Sequence, residues 1–440
     1  MRMPLLLAAA ALMASPIAAA PQEPAPLTRE QMEADLRQLE RETEARWAYA
    51  EDRRQRSAVT TKALADAAIT RLDAVQDTAG FIGLVREFVA GLQDGHAWVA
   101  WSGKEQHAFR RWPFTVVDTT EGLVIDEVLA TWTGEPANVV RGDLLLEVDG
   151  VPVAQLVSAA ERRAYGSTNG GRRRAALSAV WFHDGDPARY KVRRRDGAEA
   201  VVEAHAASRH PEAEVRARAI ESRRLAEGVA CIRIPTFACS DQKAWATARA
   251  ADRARLLEPD VAAIRAAFAD ALGCRAIVLD LRGNGGGTDL LGMEVAACLL
   301  PADSVYYGLA SRGWFGWSKP SQHRLQVEGT PPRFEGQLVV LIDEGVFSTT
   351  DNLCRCLDDL HRDVTFVGRP TGGGTGAPRP CVTLAHSGAV ITFCTMRVYG
   401  PAGELIEGRG TQPDVLVQPT RDDVLAARDA ALAAALRAVR

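Results

Sequence analysis

Apolar side chains between Leu27 and Leu92 recur at steps of three and four: Met32, Leu36 and Leu39 early, then Phe81, Leu84, Val85, Phe88, Val89 and Leu92. That period puts one stripe on each of several helices and predicts a helical region ending at Asp94-Gly95, with His96 immediately beyond. Past Phe109 the period falls to two. The runs Gly122 to Val128, Val140 to Val153 and Arg189 to Val202 alternate apolar with polar positions around Asp-Gly turns, the pattern of half-buried strands. From about Leu225 short apolar runs take turns with helical stretches: Gly228 to Ile234, a helix near Val261 to Leu272, then Ala276 to Asp280 and Leu338 to Ile342. Strands separated by helices in this way predict an α/β core. A last helix carries Leu425, Leu432, Leu436 and Val439 on one face.

Two of the apolar runs stop in turns that can carry chemistry. Ala276-Ile-Val-Leu-Asp-Leu-Arg-Gly-Asn-Gly-Gly-Gly287 ends in glycines, whose backbone N–H groups no side chain crowds. Leu338-Val-Val-Leu-Ile-Asp-Glu-Gly-Val-Phe-Ser348-Thr-Thr-Asp351 ends in a serine ahead of a helical stretch that reaches Leu360. A serine hydroxyl needs a base within hydrogen-bond reach and donors for the oxyanion formed when it attacks a carbonyl. Ser348 is the candidate nucleophile, although a serine at that place also suits a helix N-cap.

In order and wording these segments, together with the closing Glu404-Leu-Ile-Glu-Gly-Arg-Gly-Thr-Gln-Pro-Asp-Val-Leu-Val417, resemble the S41 serine peptidases, the tail-specific or C-terminal-processing family, and within it the tricorn-like branch with a histidine base. The resemblance covers most of the chain beyond residue 30. It implies a helical region at 21–108 carrying the base, a PDZ-like β domain at 109–207 with Gly142-Asp143 and Asp149-Gly150 as landmarks, and an α/β core of the crotonase-like β/α spiral kind at 208–440. It further implies a serine endopeptidase acting on polypeptides, with no metal or organic cofactor. A PDZ-like module binds peptide by adding a strand to a sheet edge, which suits an enzyme that selects extended chains.

By the same resemblance the oxyanion donors are the N–H groups of Thr349 and Gly286, the glycines Gly285, Gly287 and Gly373 approach the substrate, and Glu407 completes a relay behind the base. Many relatives take a lysine base from a Gly-Lys-Gly-Thr turn. Here that stretch reads Pro370-Thr-Gly-Gly-Gly-Thr375 and no lysine follows Lys319, which leaves His96 in Leu92-Gln-Asp-Gly-His-Ala-Trp98 as the candidate base. The other histidines read as packed or surface residues, with His361 a cation at a helix end. Gly95 stands where a serine precedes the histidine, and Asp351 where glutamate is usual. These departures support an alternative, a non-catalytic ligand- or peptide-binding protein on the same fold.

Composition then sets limits. The chain has 440 residues, 47% hydrophobic and 25% charged, ordinary material for two or three globular domains. A net charge of −4 is near balance, so nothing global points to nucleic acid or an anionic membrane. Residues 1–20, with one arginine, a short apolar stretch and Ala18-Ala-Ala20, read as a signal peptide cleaved after Ala19 and predict a periplasmic or secreted protein without a stable membrane anchor. All eight cysteines lie between Cys231 and Cys394. A two-residue turn at Ser387-Gly388 would set Cys381 opposite Cys394, close enough for a disulfide; two buried free thiols are the other reading. No Cys-x-x-Cys pair suggests a metal site. Trp314-Phe-Gly-Trp317 either lines a pocket or anchors a loop.

Overall fold

The computed structural model describes residues 26–103, 110–180, 182–183, 186–207, 219–225 and 228–440; the signal-peptide reading of residues 1–20 lies outside them. The chain opens with helices Arg29–Arg46, Ala50–Ser57, Thr61–Ile69 and Thr78–Gly91. Thr28 and Gln31 form a reciprocal capping box on the first, and Asp77 accepts from the Gly80 N–H at the start of the last. The final helix stops at Gly91 rather than Asp94, and Gln93 takes a left-handed conformation with φ 52°. That early stop frees residues 94–97 to turn into the strand Trp98–Ala100.

The helical stripe does not form a core by itself. Leu36, Leu39, Phe81 and Phe88 pack with Val382, Ile391 and Phe393 from a hairpin near the other end of the chain, Pro378–Thr383 with Val390–Cys394. Trp98–Ala100 adds to the same sheet, antiparallel to Val390–Cys394. The hairpin loop has four residues, Ala385 to Gly388, because buried Asp35 on the first helix accepts from the N–H groups of His386 and Ser387. A bulge at Cys381 then shifts the register, so that Pro380 faces Thr392 and Pro378 faces Cys394. Cys381 and Cys394 are consequently not opposite one another. All eight cysteines are free thiols, and the disulfide reading is corrected to the free-thiol one.

The middle unit is an antiparallel sheet in the order Phe114–Thr119, Gly122–Val128, Leu144–Val148, Ala188–Arg193, Glu199–Ala204. Trp112, Phe114, Ile125, Leu145, Tyr190 and Val192 pack there under helices Val153–Glu161 and Asn169–Val180.

The α/β unit holds a six-stranded sheet in the order Glu221–Arg224, Val229–Arg233, Ala276–Asp280, Gln337–Ile342, Val364–Gly368, Val415–Leu416, parallel except for the first strand. Both central strands are buried along their whole length. Ile277, Leu279, Leu338 and Val340 meet helices Glu258–Ala271, Asp289–Ala297 and Thr349–Leu360. Ala276, Val278, Val339 and Leu341 meet the closing helix Ala430–Ala438. Helices on both faces explain why these runs read as continuously apolar, and the class is α/β. Ala276 pairs with Gln337 and Asp280 with Leu341, so the two strands end side by side and their turns are neighbours. Among the described residues no helix is long and apolar enough to cross a membrane.

Candidate active site

Ser348 sits between the buried strand Gln337–Ile342 and the helix Thr349–Leu360, at φ 61° and ψ −125°. A β-carbon makes this conformation strained, and the surroundings hold it: Ser348 N–H donates to Gly374 O at 2.7 Å, and Phe347 N–H to Asn284 O at 3.1 Å. Its side chain does not cap the helix. The hydroxyl lies instead 3.1 Å from Nε2 of His96.

His96 occupies the turn between Thr78–Gly91 and Trp98–Ala100 and is buried, at 7% exposure. Its ring stacks on Phe347, with centroids 4.5 Å apart. A β-carbon at residue 95 would come within 2.5 Å of that phenyl ring, which is a physical reason for Gly95. Burial pushes the imidazole down to about 4, so the free site presents a neutral base at pH 7. The backbone N–H of His96 donates to Asp94 Oδ1 at 2.8 Å and the Trp47 indole to Asp94 Oδ2 at 2.8 Å, while the buried ring Nδ1 of His96 has no hydrogen-bond partner among the described residues. Burial raises Asp94 to about 6 against the pull of these bonds.

Glu407 is buried, yet it makes no hydrogen bond with His96. Its Oε2 accepts from Thr375 N–H at 2.9 Å, and a second contact comes from the side chain of Ser167. Burial first, and then the charge of Asp94, hold this carboxyl well above the ordinary range. Both causes favour its protonated form. The expected direct hydrogen bond from Glu407 to the base is not formed, since His96 Nδ1 and Glu407 Oε1 are both buried without a partner, and the carboxyl bonded to the His96 backbone is Asp94.

Sequence reasoning missed Ser167. It belongs to the polar segment Tyr165 to Arg172 of the middle unit, is 3% exposed, and accepts from Gly95 N–H at 2.9 Å while contacting Glu407. A hydroxyl from far along the chain thus lies where Gly95 supplies none. The unusual polarity of that segment was its only sequence signal.

Two further corrections concern the glycines. Gly286 N–H donates to Asn284 Oδ1 at 2.9 Å and is not free for an oxyanion. What Gly286 provides is space, since a β-carbon there would lie 2.8 Å from Ser348 Cβ. Thr349 N–H, at the helix N-terminus, and Gly285 N–H have no acceptor among the described residues. Gly285 also faces open space, as a substrate contact requires, whereas Gly287 and Gly373 are taken up internally. Gly287 runs against the backbone of Phe237, and Gly373 O accepts from Gly408 N–H at 2.7 Å. Asp351, buried and raised to about 7 by burial, accepts from Thr371 Oγ1 and Gly374 N–H and so ties the Pro370–Thr375 loop to the helix behind Ser348. His361 is not the expected cation: its Nδ1 accepts from Asp363 N–H at 3.2 Å, and burial lowers its affinity for a proton.

Asp94, His96 and Cys394 bring ligand atoms within 4.8 Å of one another, all buried. Asp94 is engaged by Trp47 and the His96 backbone N–H, and His96 Nε2 by Ser348, whereas His96 Nδ1 has no hydrogen-bond partner among the described residues.

Residues 228–417 match peptidase family S41. A carboxyl-terminal-processing protease of a Synechocystis species is 29% identical over 146 residues, 33% of this chain and 32% of the relative. A chloroplastic C-terminal processing peptidase of Tetradesmus obliquus is 30% identical over 148 residues, 33% of this chain and 30% of the relative. The matches thus span about a third of the length of these curated relatives. In fold the chain is similar to mature CPAF complexed with lactacystin, with a TM-score of 0.74 at 16% identity over 93% of this chain and 97% of that one. A peptidase structure from Parabacteroides merdae gives 0.53 at 15% identity, over 92% and 96%.

Proposed function

We propose that this chain, carrying a peptidase family S41 domain at residues 228–417, is a serine endopeptidase that acylates Ser348 with His96 as general base. The observation that carries the reading is the 3.1 Å contact between Ser348 Oγ and His96 Nε2, made by a serine held in a strained turn. The neutral imidazole takes the hydroxyl proton as Oγ attacks the scissile carbonyl. The oxyanion falls to Thr349 N–H, where the helix dipole adds positive potential, with Gly285 N–H as the second donor. His96 then returns the proton to the leaving amine, and a water hydrolyses the acyl-enzyme by the same route. Asp94 orients the turn that carries the base and supplies charge near the imidazolium; Ser167 and Glu407 hold that turn from behind.

The substrate is a polypeptide, and the curated relatives favour cleavage near a carboxyl terminus. The sheet of residues 109–207 acts as a PDZ-like module offering an edge to an extended chain. Export rests on residues 1–20, and the mass of the mature protein recovered outside the cytoplasm checks it. A fluorophosphonate probe tests the central reading. It should label wild type once per chain, at Ser348, and fail on Ser348→Ala; an unlabelled wild type that still binds peptide would establish the non-catalytic alternative.

A further inference from the structure

Trp314 and Phe315 form the two-residue turn of the hairpin Val305–Gly313 with Gly316–Trp317, and both are fully exposed, at 102% and 107%. Turns of this length ordinarily take Asn, Asp or Gly. Two large aromatic rings there leave apolar surface in water with no core to join. The stem beneath them is stiff: Ser318 N–H donates to Ser311 O at 2.9 Å, Ser311 N–H to Ser318 Oγ at 3.1 Å, and Arg397 lies 4.3 Å over the Trp317 ring. The rings are held away from the body of the protein by a braced hairpin.

The surface around this stem is basic although the whole chain is not. Arg46, Arg312 and Arg379 line a cleft of about 910 Å³ under Trp314, and exposed Lys319 follows the hairpin. Arg46 pairs with Glu42 and Arg312 donates to Ala45 O. Arg379 and Lys319 have no acidic partner among the described residues. The acid of the neighbouring Arg397, Glu51, is likewise already matched. An excess of positive charge therefore surrounds two projecting aromatic rings.

We propose that the Trp314-Phe315 tip docks the protein on an anionic lipid surface, the rings entering the headgroup region while Arg46, Arg312, Arg379 and Lys319 face lipid phosphates. Aromatic rings favour that interface, and basic residues near it are drawn to anionic lipid. A second copy of the chain fits less well. A stable dimer buries about 800 Å² on each partner, and two aromatic side chains supply roughly 500 Å² at most. A two-fold contact would also set the arginine clusters against each other.

The test is cosedimentation of the full mature chain with vesicles of phosphatidylcholine alone or mixed equally with phosphatidylglycerol. Wild type should pellet with the mixed vesicles only and be released by salt. The variant W314S/F315S should bind at least tenfold more weakly, and R379Q/K319Q should bind more weakly with a shallower salt dependence. W314F should still bind but lose quenching by brominated lipid. Both rings lie outside the core, so thermal unfolding should be unchanged in these variants. Equal binding by W314S/F315S, or salt-insensitive binding to pure phosphatidylcholine, overturns the proposal. So does a wild-type dimer that W314S/F315S converts to monomer, which would make a second copy the occupant.

Discussion

Ser348 is carried by a single strand-turn-helix, whereas the surroundings of His96 are drawn from Trp47, Asp94, Ser167, Phe347, Thr375 and Glu407. On the nucleophile side the parallel register of two neighbouring strands already sets both turns together, and backbone bonds to the adjoining turns, from Ser348 N–H to Gly374 O and from Phe347 N–H to Asn284 O, hold the serine in place. The base side has no such frame. Its position depends on buried polar groups from distant segments that satisfy one another, so loss of one leaves others unpaired. A site of this kind should tolerate small changes near the serine in stability but lose rate outright, while changes around the histidine should spread over both.

The largest effect tests the local side. Ser348→Ala should lower kcat on the order of 10⁵-fold or more, with the melting curve nearly unmoved because the hydroxyl caps nothing. Retained turnover in active-site titration would end the nucleophile assignment.

His96→Ala comes next, with a loss on the order of a thousandfold or more. In wild type, kcat/KM should rise with pH as the ring becomes neutral, with a midpoint below the ordinary 6.5 because burial disfavours the imidazolium. A midpoint above 6.5 would mean that a carboxylate, not burial, dominates the ring.

The comparison sharpens on the two carboxyls. Asp94→Asn should cost about ten- to a hundredfold in kcat and also stability, since one of two donors, Trp47 Nε1 or His96 N–H, would face an amide N–H. Glu407→Gln should cost less than about tenfold, because burial and the charge of Asp94 favour the protonated carboxyl, which a neutral amide imitates. The reverse order in steady-state rates would restore Glu407 as the charged member.

The smallest effect is a pH-dependent stability. A folded-state pKa raised above the unfolded one means that the native state holds the extra proton, so Glu407 contributes fully below its ordinary 4.5 and the contribution is lost as pH rises toward the folded value. Glu407→Gln removes that titration. Its melting temperature relative to wild type should climb as pH increases above about 4.5, and a difference that stays flat with pH would show Glu407 to be ionised in the fold.

Legibility followed the same divide. The strand ending at Asp280, the strand ending at Ile342 and the serine before the helix were readable because each is a local pattern of apolar run and turn. His96 was readable only through its neighbours Asp94 and Gly95 and the absence of a lysine at Gly373. Ser167 was not, since nothing in its own segment points to residue 95. The register of the hairpin was also beyond reach: a buried Asp35 from the first helix decides its loop, and with it the fate of Cys381 and Cys394.

The amino-acid sequence by itself determined the α/β class and the strand-turn setting of the candidate nucleophile, because hydrophobic period and turn residues act over a few positions of chain, while the candidate base came from the resemblance to the S41 peptidases. Tertiary structure alone decided which backbone donors remain free, which carboxyls burial shifts upward and which hydroxyl bonds the turn that carries His96. Those depend on burial and on hydrogen bonds between residues hundreds of positions apart, and desolvation is a property of the packed molecule that no local run of residues contains.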